Sequence, residues 1–587
     1  MVAKPHRPYP SPPGPPSSSP LQSYRREIYA CVPASCRKAR GRGGHDAGPP
    51  ATEDGQVPSY TRLVEEPARG RRLAWSTATF SLATGLSRIL GLIREIVTAY
   101  FFGAAGRINA FTIAFQIPNL IRALVADAAV SSAFVPVFTE LLEKGERKRA
   151  WRVASTLFWL VLLGLGALTA LFILLAPWLL EPFGVPAGSR SLTIDLSRIL
   201  FPTVALLGVS GIIVGILNSY EEFSIPALTP VFWNLVIILG LAVGVPQVTS
   251  EDAKLYVLAA AVLAATVVQV LLPVPWLRGK DGRIRAVIDW RDPAVKQVLL
   301  LMVPVTLSLG LINFNALVDT LFASRLIDPD LAPKAIDYAF RVYMLPQGIF
   351  SVAIATVLFP SLARLAARGD HDGFRHTVGL GLRQIAFTLI PASVVSAVLA
   401  EPIVRLLFQR GQFTPHQTTV VAGALAAFSA GLVFNGAMLM LNRAFFSLQS
   451  NWVPTLVALG NLLLNAALDA AFYRLGIWGI PLATSLVNVA GTVALIALLQ
   501  RREHRIELGQ TTRSTFRILL AAAVLAGVSF GVWDGLDHLL GREFGAQIVS
   551  LGLALAAGTG AYLVSCRLLG VRELEALLSL RARFRRS

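Results

Sequence analysis

Runs of about 20 apolar residues, each closed off by polar or Pro/Gly-rich joints, recur about fourteen times along this chain. That length is what a helix needs to cross the roughly 30 Å hydrocarbon layer of a membrane. The runs cover residues 74–102, 108–141, 153–178, 193–218, 229–246, 255–276, 297–325, 336–365, 383–408, 417–446, 453–474, 479–500, 515–533 and 546–568. Within lipid every backbone N–H and C=O must be paired inside the protein, and segments of this length meet that demand as helices. The sequence therefore predicts an all-α integral membrane protein of about 14 transmembrane helices.

Composition agrees. Of 587 residues, 54% are hydrophobic and only 15% charged, against roughly 25% charged in an average soluble domain. A net charge of +18 would suit a nucleic-acid binder on a solvated groove, but here the basic residues sit between apolar runs, so no nucleic-acid partner is expected. Cys31, Cys36 and Cys566 are too few for a disulfide framework, and no neighbouring cluster turns the first two into a metal site. Residues 1–73, rich in Pro, Ser, Gly and Arg, lack the apolar core and cleavage site of a secretory signal; they read as a disordered basic cytosolic tail.

Orientation follows from the loops, because Lys and Arg are retained on the cytoplasmic side. With both termini inside, the inner loops 142–152, 277–296, 364–383 and 501–517 carry about twenty Lys and Arg, while the opposite set, including 246–254, 326–338 and 532–545, carries about seven. The basic C-terminal tail, residues 571–587, fits the same orientation. Both termini are therefore expected in the cytosol, with the chain a multi-pass protein of the cytoplasmic membrane.

An Arg at the centre of a spanning helix costs about 2.5–3.5 kcal/mol on insertion scales, so it normally faces a protein or water-filled interior. The first run places Ser87, Arg88, Gly91, Arg94 and Glu95 near one helical stripe. The second holds Asn119 and Arg122 three apart, then Asp127, with Pro118 expected to kink or break the helix. Asn315 and Asp319 lie four apart in the seventh run, and Arg341 in the eighth, just before Pro346 and Gly348. Four arginines converge if the first, second and eighth helices are neighbours. A guanidinium stays charged at any physiological pH and its fork matches phosphate oxygens, so such a cluster suits a diphosphate; Glu95, Asp127 and Asp319 would partly neutralise it while empty. The alternative is that Arg and acid pair to hold helices together, the better reading for Arg107 and Arg325 near helix ends. Asn461, Asn465 and Asp469, four apart, read as a helix-packing ladder. No GxSxG, HExxH or GxxxxGK[ST] motif occurs, so enzymatic activity is not expected.

The stretch SRILGLIREIVTAYFFGAAGRINAFTIAFQIPNLIRALVADAAVSSAFVPVFTE closely resembles the start of the lipid II flippases, called MurJ or MviN, of the multidrug/oligosaccharidyl-lipid/polysaccharide exporter superfamily. ILNSYEEFSIPALTPVFWN (216–234), NALVDTLFAS (315–324), YAFRVYMLPQGIFSVAIATVLFPSLARLA (338–366), LFQRGQFT (407–414) and RAFFSLQSNWVPT (443–455) match in order, and the resemblance covers roughly residues 74–570. It implies two pseudo-symmetric six-helix lobes, 74–278 and 279–500, followed by two helices at 501–570 that form a groove for a lipid tail. It also implies that Ser87, Arg88, Arg94, Glu95, Asn119, Arg122 and Arg341 line a central cationic cavity. Three positions depart from the pattern: Asn109 stands where Asp is frequent, Ala128 replaces Gly, and Met344 takes a place that is Glu in some members. With two acids missing, a more cationic cavity is expected unless Asp127 and Asp319 compensate.

The function implied is movement of an undecaprenyl-diphosphate-linked precursor, lipid II, to the outer leaflet by alternating access, with membrane lipid and cell-wall synthesis proteins as partners. No bound cofactor is expected; coupling would be to the membrane potential or a monovalent cation. A drug/cation antiporter of the same superfamily would be expected to line its cavity with acids, and a non-transporting scaffold would use its charges structurally.

Overall fold

A computed structural model describes residues 61–125, 129–503 and 508–574. The chain separates into two units after Pro67, and the architecture below is that of the second. In order the helices are α1 (Thr61–Phe102), α2 (Ile108–Val125), α3 (Ala129–Glu143), α4 (Arg147–Leu179), α5 (Ala187–Leu200), α6 (Pro202–Ser219), α7 (Ser224–Gly244), α8 (Glu251–Leu271), α9 (Pro293–Phe322), α10 (Ala332–Pro346), α11 (Val352–Arg368), α12 (His371–Val398), α13 (Ala400–Phe408), α14 (Pro415–Ser429), α15 (Leu432–Ser447), α16 (Trp452–Phe472), α17 (Gly479–Glu503), α18 (Leu508–Leu540) and α19 (Phe544–Leu568). No strand occurs among the described residues.

All fourteen apolar runs fall on helices, five of them on pairs: α2 with α3, α5 with α6, α10 with α11, α12 with α13 and α14 with α15. Proline, which has no N–H and crowds the preceding turn, accounts for several breaks: Pro202 opens α6, and Pro346 precedes a π-helical turn at Gln347–Ser351 that joins α10 to α11. The pair α14/α15 bends by 44°. Among the described residues ten stretches are long and apolar enough to cross a membrane, or eleven with that bent pair as one span. The other three runs are those on α1, on α2 with α3, and on α9; α1 carries Arg88, Arg94 and Glu95 within its last five turns. The chain is thus a multi-pass helical membrane protein.

Two expectations are adjusted. Of the kink or break expected at Pro118, a break does not occur: α2 runs on to Val125. The carbonyl that Pro118 leaves without a backbone donor, that of Ala114, instead accepts a hydrogen bond from Ser197 Oγ of α5 at 3.3 Å, as happens where neighbouring helices satisfy freed backbone groups. Helix α1 begins at Thr61, inside the stretch assigned to the tail; hydropathy marks where apolar residues start, not where the backbone begins to coil. Residues 1–60, the rest of that tail, lie outside the described residues.

The four largest buried clusters among the described residues organise the bundle. One gathers α3, α4 and α6 with the first turns of α9. A second joins the end of α1 to α2, α5, α7 and α8. The largest spans α10 to α15 and α17, and reaches Ala99 and Ala104 beyond the middle of α1. The fourth packs α18 and α19 on α12. That hairpin is also bolted at both ends by buried ion pairs, Arg405 to Asp537 at 3.3 Å and Arg383 to Glu573 at 3.2 Å, with Tyr562 Oη donating to the Phe387 carbonyl between them at 2.7 Å.

Candidate functional site

Helix α1 has two unlike faces. Leu82, Leu86, Ile89, Ile93 and Tyr100 form an exposed apolar stripe, whereas Arg88, Gly91, Arg94 and Glu95 lie more than about 100° away around the axis. The polar face meets α10. Along α10 and the turn that follows it, the less buried positions include Asp337, Phe340, Arg341, Met344 and Gly348, and this stripe supplies the partners of α1. Glu95, 5% exposed, is the hub: its carboxylate accepts from Arg94 at 2.5 Å and lies 3.4 Å from Lys334 Nζ and 3.8 Å from Arg341 Nε. Asp337 closes the group, 2.9 Å from Lys334 and 3.2 Å from Arg341. Further along, the Arg88 guanidinium rests on the bare backbone of Gly348, where a Cβ would overlap it.

In this constellation Arg88, Arg94, Lys334 and Arg341 face Glu95 and Asp337, so cations outnumber carboxylates by two. The excess is accessible. The Arg341 side chain keeps 44% of its surface open with only Nε engaged, and Arg88 is exposed on the face of α1 turned away from its apolar stripe. Arg94 is held back instead: Nη1 donates to Asn234 Oδ1 at 3.0 Å and its guanidinium stacks on Trp233 of α7 at 4.9 Å. Asn234 also donates to the Ser87 carbonyl at 3.3 Å, which places Ser87 here through its backbone.

Arg122 is oriented by Asn119, whose Oδ1 accepts from Nη2 at 2.8 Å and Nε at 3.2 Å. It stands fourteen residues into α2, as Arg88 stands fourteen before the end of α1, so both lie about 21 Å along their helices from the turn that joins them. Asp127 lies outside the described residues. Asn315 and Asp319 do not join the arginines, contrary to expectation. Asp319 accepts from Asn465 Nδ2 of α16 at 2.6 Å, Asn465 also donates to Asp469 at 2.9 Å, and Asn315 lies 3.3 Å from Asp319. Asn465 and Asp469 are fully buried, and one oxygen of each, Oδ1, has no hydrogen-bond partner among the described residues, which a ladder serving packing alone would leave satisfied. Asn461, by contrast, packs against Met438 and Gly491. Arg107 pairs with Asp252, and Arg325 caps the carbonyls of Glu181 and Pro182, the structural roles expected of them.

Sequence reasoning missed Lys334, counting it in the loop 326–338; α10 already begins at Ala332 and buries it. The 334, 337, 341 spacing of alternating charge was the available signal. Nor did it foresee what Asn109 does: its amide donates to the carbonyls of Ala104, Gly106 and Asp330 at 3.0, 3.2 and 2.6 Å and accepts from Lys334 N at 2.8 Å. A carboxylate has no N–H and could not make the first three.

Those bonds belong to a seam at the end of the bundle where α1 stops, here the distal end. There Gln412 N donates to the Tyr100 carbonyl at 2.9 Å, Gln417 Oε1 accepts from Ala104 N at 2.8 Å, and Tyr338 Oη reaches the Gly103 carbonyl at 3.3 Å. Gly103 has φ +65 and a Cβ there would stand 2.7 Å from the Gln412 carbonyl, so the chains close to backbone contact.

The chain is similar in sequence and fold to known proteins. The family described as "Lipid II flippase MurJ" matches residues 98–551. A probable lipid II flippase MurJ of Vibrio cholerae serotype O1 is 32% identical over 520 residues, 86% of this chain and 97% of that protein. The lipid II flippase MurJ of Burkholderia cenocepacia is 31% identical, covering 77% and 88%. In fold, the chain resembles a solved lipid II flippase MurJ in an inward closed conformation, with TM-score 0.68 at 23% identity, covering 83% of this chain and 98% of that one. A multidrug resistance MATE family transporter of the MOP superfamily, inward-facing, gives 0.57 at 17% identity, covering 72% and 94%. By its match over most of its length, this chain belongs to the lipid II flippase MurJ family.

Proposed function

We propose that the protein flips lipid II from the inner to the outer leaflet of the cytoplasmic membrane, with both termini in the cytosol and the distal end outside. The observation that carries this reading is the pair of facing stripes on α1 and α10, which leave two accessible guanidinium groups, Arg88 and Arg341, in a cluster with an excess of two positive charges. A diphosphate brings the opposite charge in a geometry that the guanidinium fork matches. An antiporter for organic cations would need the reverse excess.

Only the diphosphate and sugar-peptide head resist the hydrocarbon. The head enters between α1 and α10 from the cytosolic side while the seam at Tyr100–Ala104 holds the outer end shut, and rocking of the bundle about the site exposes it outside. The tail stays in lipid along an apolar groove of about 520 Å³ between α18 and α19, lined by Gly531, Gly535, Leu539, Leu553 and Ala557 among others. With the inside negative, each anionic charge that leaves across the full field gains about 2.3 kcal/mol per 100 mV. A coupled monovalent cation has a seat of fitting chemistry at Asp319, Asn465 and Asp469, where two carboxylates and an amide carbonyl converge with oxygens to spare.

The test is lipid II translocation in reconstituted vesicles. Arg88→Ala, Arg122→Ala and Arg341→Ala should each abolish it at normal abundance; translocation unchanged in all three ends the reading. Dependence on the potential, and on a cation gradient in Asp469→Asn, separates the two energy sources.

A further inference from the structure

The connection between α8 and α9 is not a free loop. Its backbone is fastened to α4 by side chains that reach across: Ser155 Oγ accepts from Arg285 N at 3.0 Å, Thr156 Oγ1 accepts from Asp289 N at 3.0 Å, and Trp159 Nε1 donates to the Arg285 carbonyl at 2.9 Å. Gly282 lies flat on the Trp151 ring. At the segment's end Arg149 grips Asp292, the N-cap of α9, through Nε and Nη2, both at 3.0 Å.

Those fixtures set its depth. Ser155 to Trp159 lie eight to twelve residues beyond Arg147, the first residue of α4, or about 12–18 Å along the axis, where the helix sequence turns apolar. The segment is therefore drawn in beside a spanning helix at the level where headgroups give way to acyl chains. Its outward surface fits that level. Trp276, Val287, Ile288 and Trp290 are 42, 38, 48 and 62% exposed, and Trp is the side chain favoured at such interfaces. Between them Arg278, Arg283 and Arg285 are exposed and have no carboxylate partner among the described residues, whereas nearby Arg147 and Lys280 are paired to Asp281 and Glu222.

We propose that residues 276–291 are a docking strap for anionic phospholipid of the inner leaflet, the indoles and aliphatic side chains seated in the interface and the three unpaired guanidinium groups holding phosphate headgroups. The choice of occupant rests on charge complementarity: apolar anchors alone would suit any bilayer, but unpaired cations beside them select the anionic headgroup. The leaflet rests on the orientation proposed above. Because the strap is the covalent passage from α8 to α9, lipid bound there restrains the two helices relative to each other.

The test uses the full chain without lipid II, so that its failure is distinct from failure of the flipping reading. Lipid retained on the purified protein is counted by native mass spectrometry after exchange into phosphatidylcholine mixed with phosphatidylglycerol. The combined Arg278→Gln, Arg283→Gln, Arg285→Gln variant should lose the preference for phosphatidylglycerol, by about fivefold per cation and at most on the order of a hundredfold for the three. The corresponding Lys replacements, which keep the charge, should retain it and also show that the segment still folds. Equal phosphatidylglycerol retention by the Gln variant and the intact chain overturns the proposal, as does loss of preference in the Lys variant. A cytosolic protein partner for the strap would show as the first of these outcomes.

Discussion

Lys334 offers the sharpest perturbation, because one ammonium group spans the seam that keeps the outer end closed. Its Nζ lies 3.4 Å from Glu95 on α1, 2.9 Å from Asp337 on its own helix, and 4.2 Å from the Tyr338 ring centroid. Only the first contact is between α1 and α10, so only it is lost when those helices part. At an effective dielectric of ~20, two unit charges 3.4 Å apart attract by about 5 kcal/mol. Hydration regained by both groups on opening returns roughly half of that. Lys334→Met should therefore favour the outward-open form by about 2–3 kcal/mol, a shift of roughly 30- to 150-fold in the open-to-closed ratio. Ala104→Cys reports on this, since Ala104 is fully buried within the seam. In intact cells its reaction with an impermeant maleimide should quicken by that factor in the Lys334→Met background and return most of the way in Lys334→Arg. A labelling rate unchanged at equal membrane abundance would refute the latch and the arithmetic with it.

Other expectations are more local. Gly348→Ala puts a methyl group where the Arg88 guanidinium lies; translocation should fall about tenfold, equivalent to ~1.4 kcal/mol of lost positioning, with abundance unchanged. Asp537→Ala strands the buried Arg405 with only the half-exposed Glu401, and should cost about 3 kcal/mol, read as a lowered Tm and earlier proteolysis of α18 and α19. Asp292, hydrogen-bonded by Arg149, is held below the ordinary carboxylate range. A depressed acid stabilises the fold fully above its unfolded value near ~3.9 and ceases to as pH drops through its folded value. The Tm deficit of Asp292→Asn should accordingly be constant between about pH 5 and 8 and vanish toward about pH 2.

Much of the fold was legible because lipid removes options: a run of about 20 apolar residues has one way to satisfy its backbone. The first helix was equally clear, since Arg88, Arg94 and Glu95 could not share a face with Leu82, Leu86 and Ile89. What could not be read was pairing across long separations. Asp319 looks like a counter-ion for arginines until Asn465, 146 residues away, is seen to bind it. Lys334 looks like a loop charge because hydropathy sets its boundary where polar residues begin, while a buried ion cluster lets a helix start earlier. Asn109 looks like a missing acid, and only the three carbonyls around it show what its amide group binds.

The double fastening of the α18/α19 hairpin, to α12 through Arg383 and to α13 through Arg405, has a mechanical corollary. A hairpin clamped near both membrane faces cannot hinge away from α12 and α13 on its own, so the greasy channel it carries is a fixture of that side of the molecule. An isoprenoid resting there would be moored to a post, and the polar cargo would swing on its tether past a stationary anchor while α1 and its companions did the travelling.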